Sequence, residues 1–73
     1  MITFNYRKQK HVVFIDSDGA PNVSPVWELN DRPTADAATA IKYANWLLDI
    51  ATAGMAGKDT RDLARAIIAA AQK

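Results

Sequence analysis

Cysteine is absent from the 73 residues of this chain, and histidine occurs once. Without thiols there can be no disulfide, no thiolate zinc site and no thiol nucleophile. With His11 as its only imidazole, the chain also has little material for acid–base or nucleophilic catalysis. Ser17 and Ser24 are the only serines that could stand beside it, and each lies in a loop near glycine or proline. No apolar run approaches the roughly 20 residues needed to span a bilayer. The start, Met1-Ile2-Thr3-Phe4-Asn5-Tyr6, lacks the basic-then-apolar order of a secretory leader. The length leaves no room for a dinucleotide-binding fold with a partner domain, a kinase or a barrel. No cofactor, metal site, catalytic residue or membrane span is expected, and a cytoplasmic location follows by default.

What is present reads as one small α+β domain over residues 1–73, with a β-rich half at 2–29 and a helical hairpin at 34–72. Hydrophobic residues make up 49% of the chain, but fourteen of them are alanine. The core must therefore be modest, and a partner or a second copy could supply missing burial. Ile2, Phe4 and Tyr6 alternate with polar residues, and His11-Val12-Val13-Phe14-Ile15 reads as the return strand. A loop over Arg7-Lys8-Gln9-Lys10 pairs Tyr6 with His11, Phe4 with Val13 and Ile2 with Ile15. Asp16-Ser17-Asp18-Gly19 predicts a turn. Val26-Trp27-Glu28-Leu29 predicts a short third strand, with Pro25 suiting a sheet edge.

Asn30-Asp31-Arg32-Pro33-Thr34 leads into a helix, with Thr34 as N-cap and Asp36 in the first turn. Ala37, Ile41, Ala44, Leu48 and Ala51 form its inner stripe, and Gly54 stops it after about Ala53. Met55-Ala56-Gly57-Lys58 connects to a second helix from about Thr60 to Gln72, capped by Asp59 with Asp62 following. Leu63, Ala64, Ile67, Ala70 and Ala71 face inward. The fold expected is a hairpin or three-stranded antiparallel sheet packed on an antiparallel helix pair.

Charge is segmented while the net is only +1. Arg7, Lys8 and Lys10 stand together without an acid in the first eleven residues. Asp16, Asp18, Glu28 and Asp31 follow without a base. Such a pattern suits either a solvated surface or a protein partner with its own mixed charges. A dedicated DNA-backbone binder shows a stronger basic stripe.

Gly54-Met55-Ala56-Gly57-Lys58-Asp59 has too few residues between its glycines for a phosphate-binding loop, and it follows a helix rather than a strand. Asp16-Ser17-Asp18-Gly19 places its glycine too early for a calcium loop. A helix-turn-helix reading uses Ala53 and Gly57 as the turn and Lys58, Arg61 and Arg65 against nucleic acid. Lys58 falls where that pattern wants an apolar residue, and Gly54 interrupts the first helix.

Two candidate partner-binding groups remain. One is the basic hairpin tip, Arg7, Lys8 and Lys10, with His11 beside it; a lone histidine on an apolar face is more often structural, here expected to stack on Tyr6. The other lies on helix 1, where Trp46 falls about 160° from the core direction with Tyr43 and Ile50 on the same outer flank. Either helix 1 is sandwiched and Trp46 is core, or this trio is a partly exposed interface.

Over its whole length, and in the join Trp27-Glu28-Leu29, Thr34-Ala35-Asp36-Ala37 and Ala44-Asn45-Trp46, the chain resembles small phage-encoded regulators of host bacterial RNA polymerase. The resemblance is one of size and style and transfers no functional residue. It implies a non-enzymatic protein that binds a large host complex, most directly a polymerase subunit, and modulates transcription in the host cytoplasm. The alternatives are a small DNA- or RNA-binding regulator, possible as a homodimer, and an antitoxin-like protein-binding domain.

Overall fold

The computed structural model describes residues 1–54 and 57–73. The part of the interhelical connection at Met55-Ala56, and with it the middle of the glycine-lysine motif, lies outside the described residues. The elements are β1 (Thr3–Tyr6), β2 (Gln9–Ile15), β3 (Pro21–Pro25), a 3₁₀ turn (Val26–Glu28), α1 (Ala37–Thr52) and α2 (Lys58–Ala71). The sheet is antiparallel with order β1-β2-β3, and the two helices pack together on it, α2 over β1 and α1 over β3. This is the expected α+β fold.

The first hairpin turns more tightly than the loop over Arg7–Lys10 expected from sequence. Arg7 and Lys8 both take positive φ, at 53° and 66°, which is the geometry of a two-residue hairpin turn matched to strand twist. Tyr6 consequently pairs with Gln9 and Phe4 with His11, two residues away from the expected register. A shift of two leaves every side chain on the face expected for it, because strand side chains alternate with period two. Phe4 and Val13 still point at the helices and are buried with Ala35, Ala40, Ala44, Leu47, Ala64 and Ile67.

The third strand is Pro21–Pro25, not Val26–Leu29. Pro21, Val23 and Pro25 alternate along an edge strand, and the Val23 N–H is taken by Asn22 Oδ1 at 2.9 Å. The prolines thus sit where no ladder donor is required. The turn before it forms as expected: Asp16 Oδ1 accepts the N–H groups of Asp18 and Ala20 at 2.9 and 3.0 Å, and Gly19 has φ 80°. After Pro25, Leu29 N–H closes on Val26 O, and Asn30 and Asp31 adopt left-handed conformations (φ 52° and 64°) that their short polar side chains tolerate.

The segment from Val26 to Ala35 then straps the sheet face opposite the helices. Its end pairs with β2 beyond β1: Ile15 N–H donates to Pro33 O at 2.8 Å, Ala35 N–H donates to Val13 O at 3.0 Å, and Phe14 and Thr34 form a bridge. The Arg32 guanidinium lies 4.9 Å from the centre of the Phe14 ring. This strap is why Val12 and Phe14 are buried although they point away from the helices. The unbroken apolar run of β2 records burial on both faces.

Thr34 is occupied in that bridge, so the helix cap is Asp36, whose Oδ1 accepts the Thr39 N–H at 2.8 Å. The buried stripe of α1 is Ala40, Ala44, Leu47 and Ala51, with Ile41 and Leu48 on its half-buried flank rather than at its centre. Ending at Thr52, α1 is followed by Gly54 at φ 78°, as its C-terminal stop requires. On α2 the N-cap is Gly57, not Asp59. Asp59 lies in the first turn with its carboxylate drawn away to Arg7, so the expected Asp59–Asp62 cap does not form.

Candidate functional site

The basic tip and the aromatic flank lie at opposite ends of β2. The tip is the β1–β2 turn. The aromatic flank meets the β2–β3 turn, since Tyr43 and Trp46 line a groove with Ala20, Pro21, Thr39 and Lys42. Seven residues of strand, about 23 Å, separate the two turns, so the residues singled out from sequence form two sites rather than one.

At the tip, Arg7, Lys8 and Lys10 are exposed. Arg7 is not the free cation that its surroundings in sequence suggest. Its guanidinium lies 5.3 Å from the centre of the Tyr6 ring and pairs with the Asp59 carboxylate across the domain. Tyr6 first, and Asp59 second, raise its pKa above the ordinary arginine value. The Tyr6 hydroxyl donates to the Asp59 carbonyl at 3.2 Å. Together these contacts pin the hairpin end to the first turn of α2. His11 is part of this scaffold: its ring stacks on Phe4 at 5.9 Å, meets Tyr6 edge-on at 5.5 Å, and places Nδ1 3.0 Å from Gln9 O. Lys8 and Lys10 are left as the outward charges of the tip.

On α1, Trp46 is 56% exposed, which removes the reading that places it in the core. It stacks on Tyr43 with ring centres 6.0 Å apart and planes 27° from parallel. Burial alone raises the Tyr43 hydroxyl above the ordinary phenol value. Thr39 and Tyr43 lie one helical turn apart, Lys42 and Trp46 lie on the next row, and Pro21 closes the wall from β3. The resulting groove has a volume of about 570 Å³ and is mostly apolar, with the Lys42 ammonium as its charge. Ile50 is not part of it; that side chain packs half-buried against the core. On a helical wheel Thr39 and Lys42 fall within about 40° of Trp46, so their place is legible from spacing alone. Ala20 and Pro21 were not legible, because a groove between a turn and a helix depends on tertiary placement. Trp27, 72% exposed on the strap, is a second outward indole.

Lys58, Arg61 and Arg65 are exposed and share an arc of about 60° on α2, with Asp62 close beside them. Among the described residues, no three His, Asp or Glu side chains gather in a way that could hold a metal ion, and no helix is long and apolar enough to cross a membrane. A scan against protein-family models, a search of curated proteins and a search of solved structures each returned no match.

Proposed function

We infer that this chain is a non-enzymatic protein-binding module whose docking face is the outer side of α1. The observation that carries this reading is a half-exposed Trp46, stacked on Tyr43 over an apolar groove. Stacking fixes the indole in place, so little side-chain entropy is lost when a partner covers it. Exposed aromatics of this kind supply most of the energy at protein interfaces. Lys42 at the groove suits a partner segment that carries a carboxylate beside an apolar side chain. Lys8 and Lys10, at the far end of β2, add charges that steer an acidic partner without adding much affinity. The packing of His11 between Phe4 and Tyr6 favours binding over catalysis.

The resemblance to phage regulators makes bacterial RNA polymerase the first partner to test and transcription the process modulated. The test is a pull-down on purified polymerase and on bacterial lysate with wild-type protein and Trp46→Ala. A specific host subunit should be captured by the wild type and lost with the substitution. Capture that is insensitive to Trp46 removes the α1 face from the reading. Retention of DNA with a steep salt dependence transfers the function to Lys58, Arg61 and Arg65 on α2.

A further inference from the structure

The two edges of the sheet are built differently. On β3, prolines occupy two of the three outward positions, and the third N–H, at Val23, is satisfied by Asn22. That edge cannot accept another strand. On β1, Val13 N–H donates to Ile2 O, which makes Ile2–Val13 a hydrogen-bonded pair. Pairs alternate along an antiparallel ladder, so Phe4 and Tyr6 also bond inward, while Thr3 and Asn5 turn their N–H and C=O groups outward. No partner for those groups occurs among the described residues. The edge carries no proline, no bulge and no charge between Ile2 and Tyr6. These are the devices that usually blunt an exposed edge.

We propose that the β1 edge pairs antiparallel with β1 of a second copy of this chain, giving a six-stranded sheet across a two-fold axis. The strand is complementary to itself about Phe4. Centring there sets Thr3 against Asn5 of the other copy twice, satisfying all four outward groups on each chain. Phe4 falls opposite Phe4, and Ile2 opposite Tyr6, on the helix face, with no like charges opposed between Ile2 and Tyr6. The neighbouring flank of α2 agrees. Asp59, Leu63, Ala66 and Ala70 fall within an arc of about 60°, and the Arg7–Asp59 contact turns that arc towards β1. Lys58, Arg61 and Arg65 lie on the other flank, about 140° away, so the surface that meets the second copy is small and apolar where it is not already paired. Because the β3 edge is blocked, pairing closes at two chains instead of growing into a fibre. Each dimer keeps two free Trp46 grooves, on the β3 side.

Sedimentation velocity from roughly 1 µM to 1 mM, the range in which weak homodimers dissociate, should show a reversible monomer–dimer equilibrium. Thr3→Lys with Asn5→Lys puts like charges opposite each other and should weaken the dimer at least tenfold with unchanged circular dichroism. In the wild type, amide exchange at Thr3 and Asn5 should slow as concentration rises. Should the double variant fail to fold, that exchange measurement decides alone. A wild type that stays monomeric to the top of the range overturns the proposal. So does a dimer that survives the double substitution, or equally fast exchange at Thr3 and Asn5 at both ends of the range.

Discussion

The two helices cover the same sheet, yet they treat water in opposite ways. The outer face of α2 carries Lys58, Asp59, Arg61, Asp62 and Arg65, and its inner face buries Ala64 and Ile67. Apart from the flank beside β1, it is accounted for by one core and one solvated surface. The outer face of α1 carries Tyr43 and Trp46 between Lys42 and Asp49, and these aromatics are only partly covered by the domain itself. A small domain short of large core side chains has left both of its tryptophans outside, and the one on α1 stands over a groove. That placement is uneconomical for folding and useful for binding, which is why the proposed docking face is on α1.

Substitutions that separate the inner and outer faces put this contrast at risk. Ile67 is fully buried on α2, so Ile67→Ala should cost about 2–5 kcal/mol, a large part of the stability of so small a domain. Urea denaturation monitored by circular dichroism measures it. Trp46→Ala removes a larger side chain from α1 but should leave the denaturation midpoint nearly in place, while partner affinity falls by about 2 kcal/mol, roughly thirtyfold. With Trp27→Phe as background, the Trp46 emission should be long in wavelength, quenched by iodide and shifted to the blue by the partner. A large loss of stability at Trp46 would erase the contrast between the helices.

A smaller effect concerns how α1 begins. The Thr39 N–H bond holds the Asp36 carboxyl below the ordinary carboxylate value. A depressed native pKa means that the cap contributes stability above the unfolded value, near 4, and that this contribution is lost as pH falls through the native value. Asp36→Ala should lower the melting temperature at pH 7, and the gap from wild type should close on acidification below pH 4. Smallest of all, Arg61→Ser with Arg65→Ser should change stability by no more than about 0.5 kcal/mol and leave partner affinity unchanged. A marked loss of binding there would move the functional face to α2.

The sheet and helix faces could be read from the chain because periodicity survives small errors of register. Phe4, Val13, Ala44 and Ile67 all point where their spacing puts them, even though the first hairpin is shifted by two. The turn itself was hidden, since Arg7 and Lys8 stand where asparagine and glycine are usual. Four residues at Val26–Leu29 are too few for periodicity to separate a strand from a 3₁₀ turn. Pro25 before them and Asn30-Asp31 after them decide it. Trp46 was visible as an outward residue, but only the tertiary structure could choose between sandwiched and exposed. The burial of Val12 and Phe14 came from a strap that no local pattern announces.

That strap also sets an order in time. The β1–β2 hairpin closes through a two-residue turn, an event that takes microseconds. The strap leaves from the end of β3 and reaches Val13 and Ile15 on the far side of β2, so it has no landing place until three strands are aligned. Its contacts join residues about twenty apart in the chain, and loop closure must be completed before they contribute. Val12 and Phe14 are therefore expected among the last side chains to lose their water as the chain folds, and among the first to regain it when it opens.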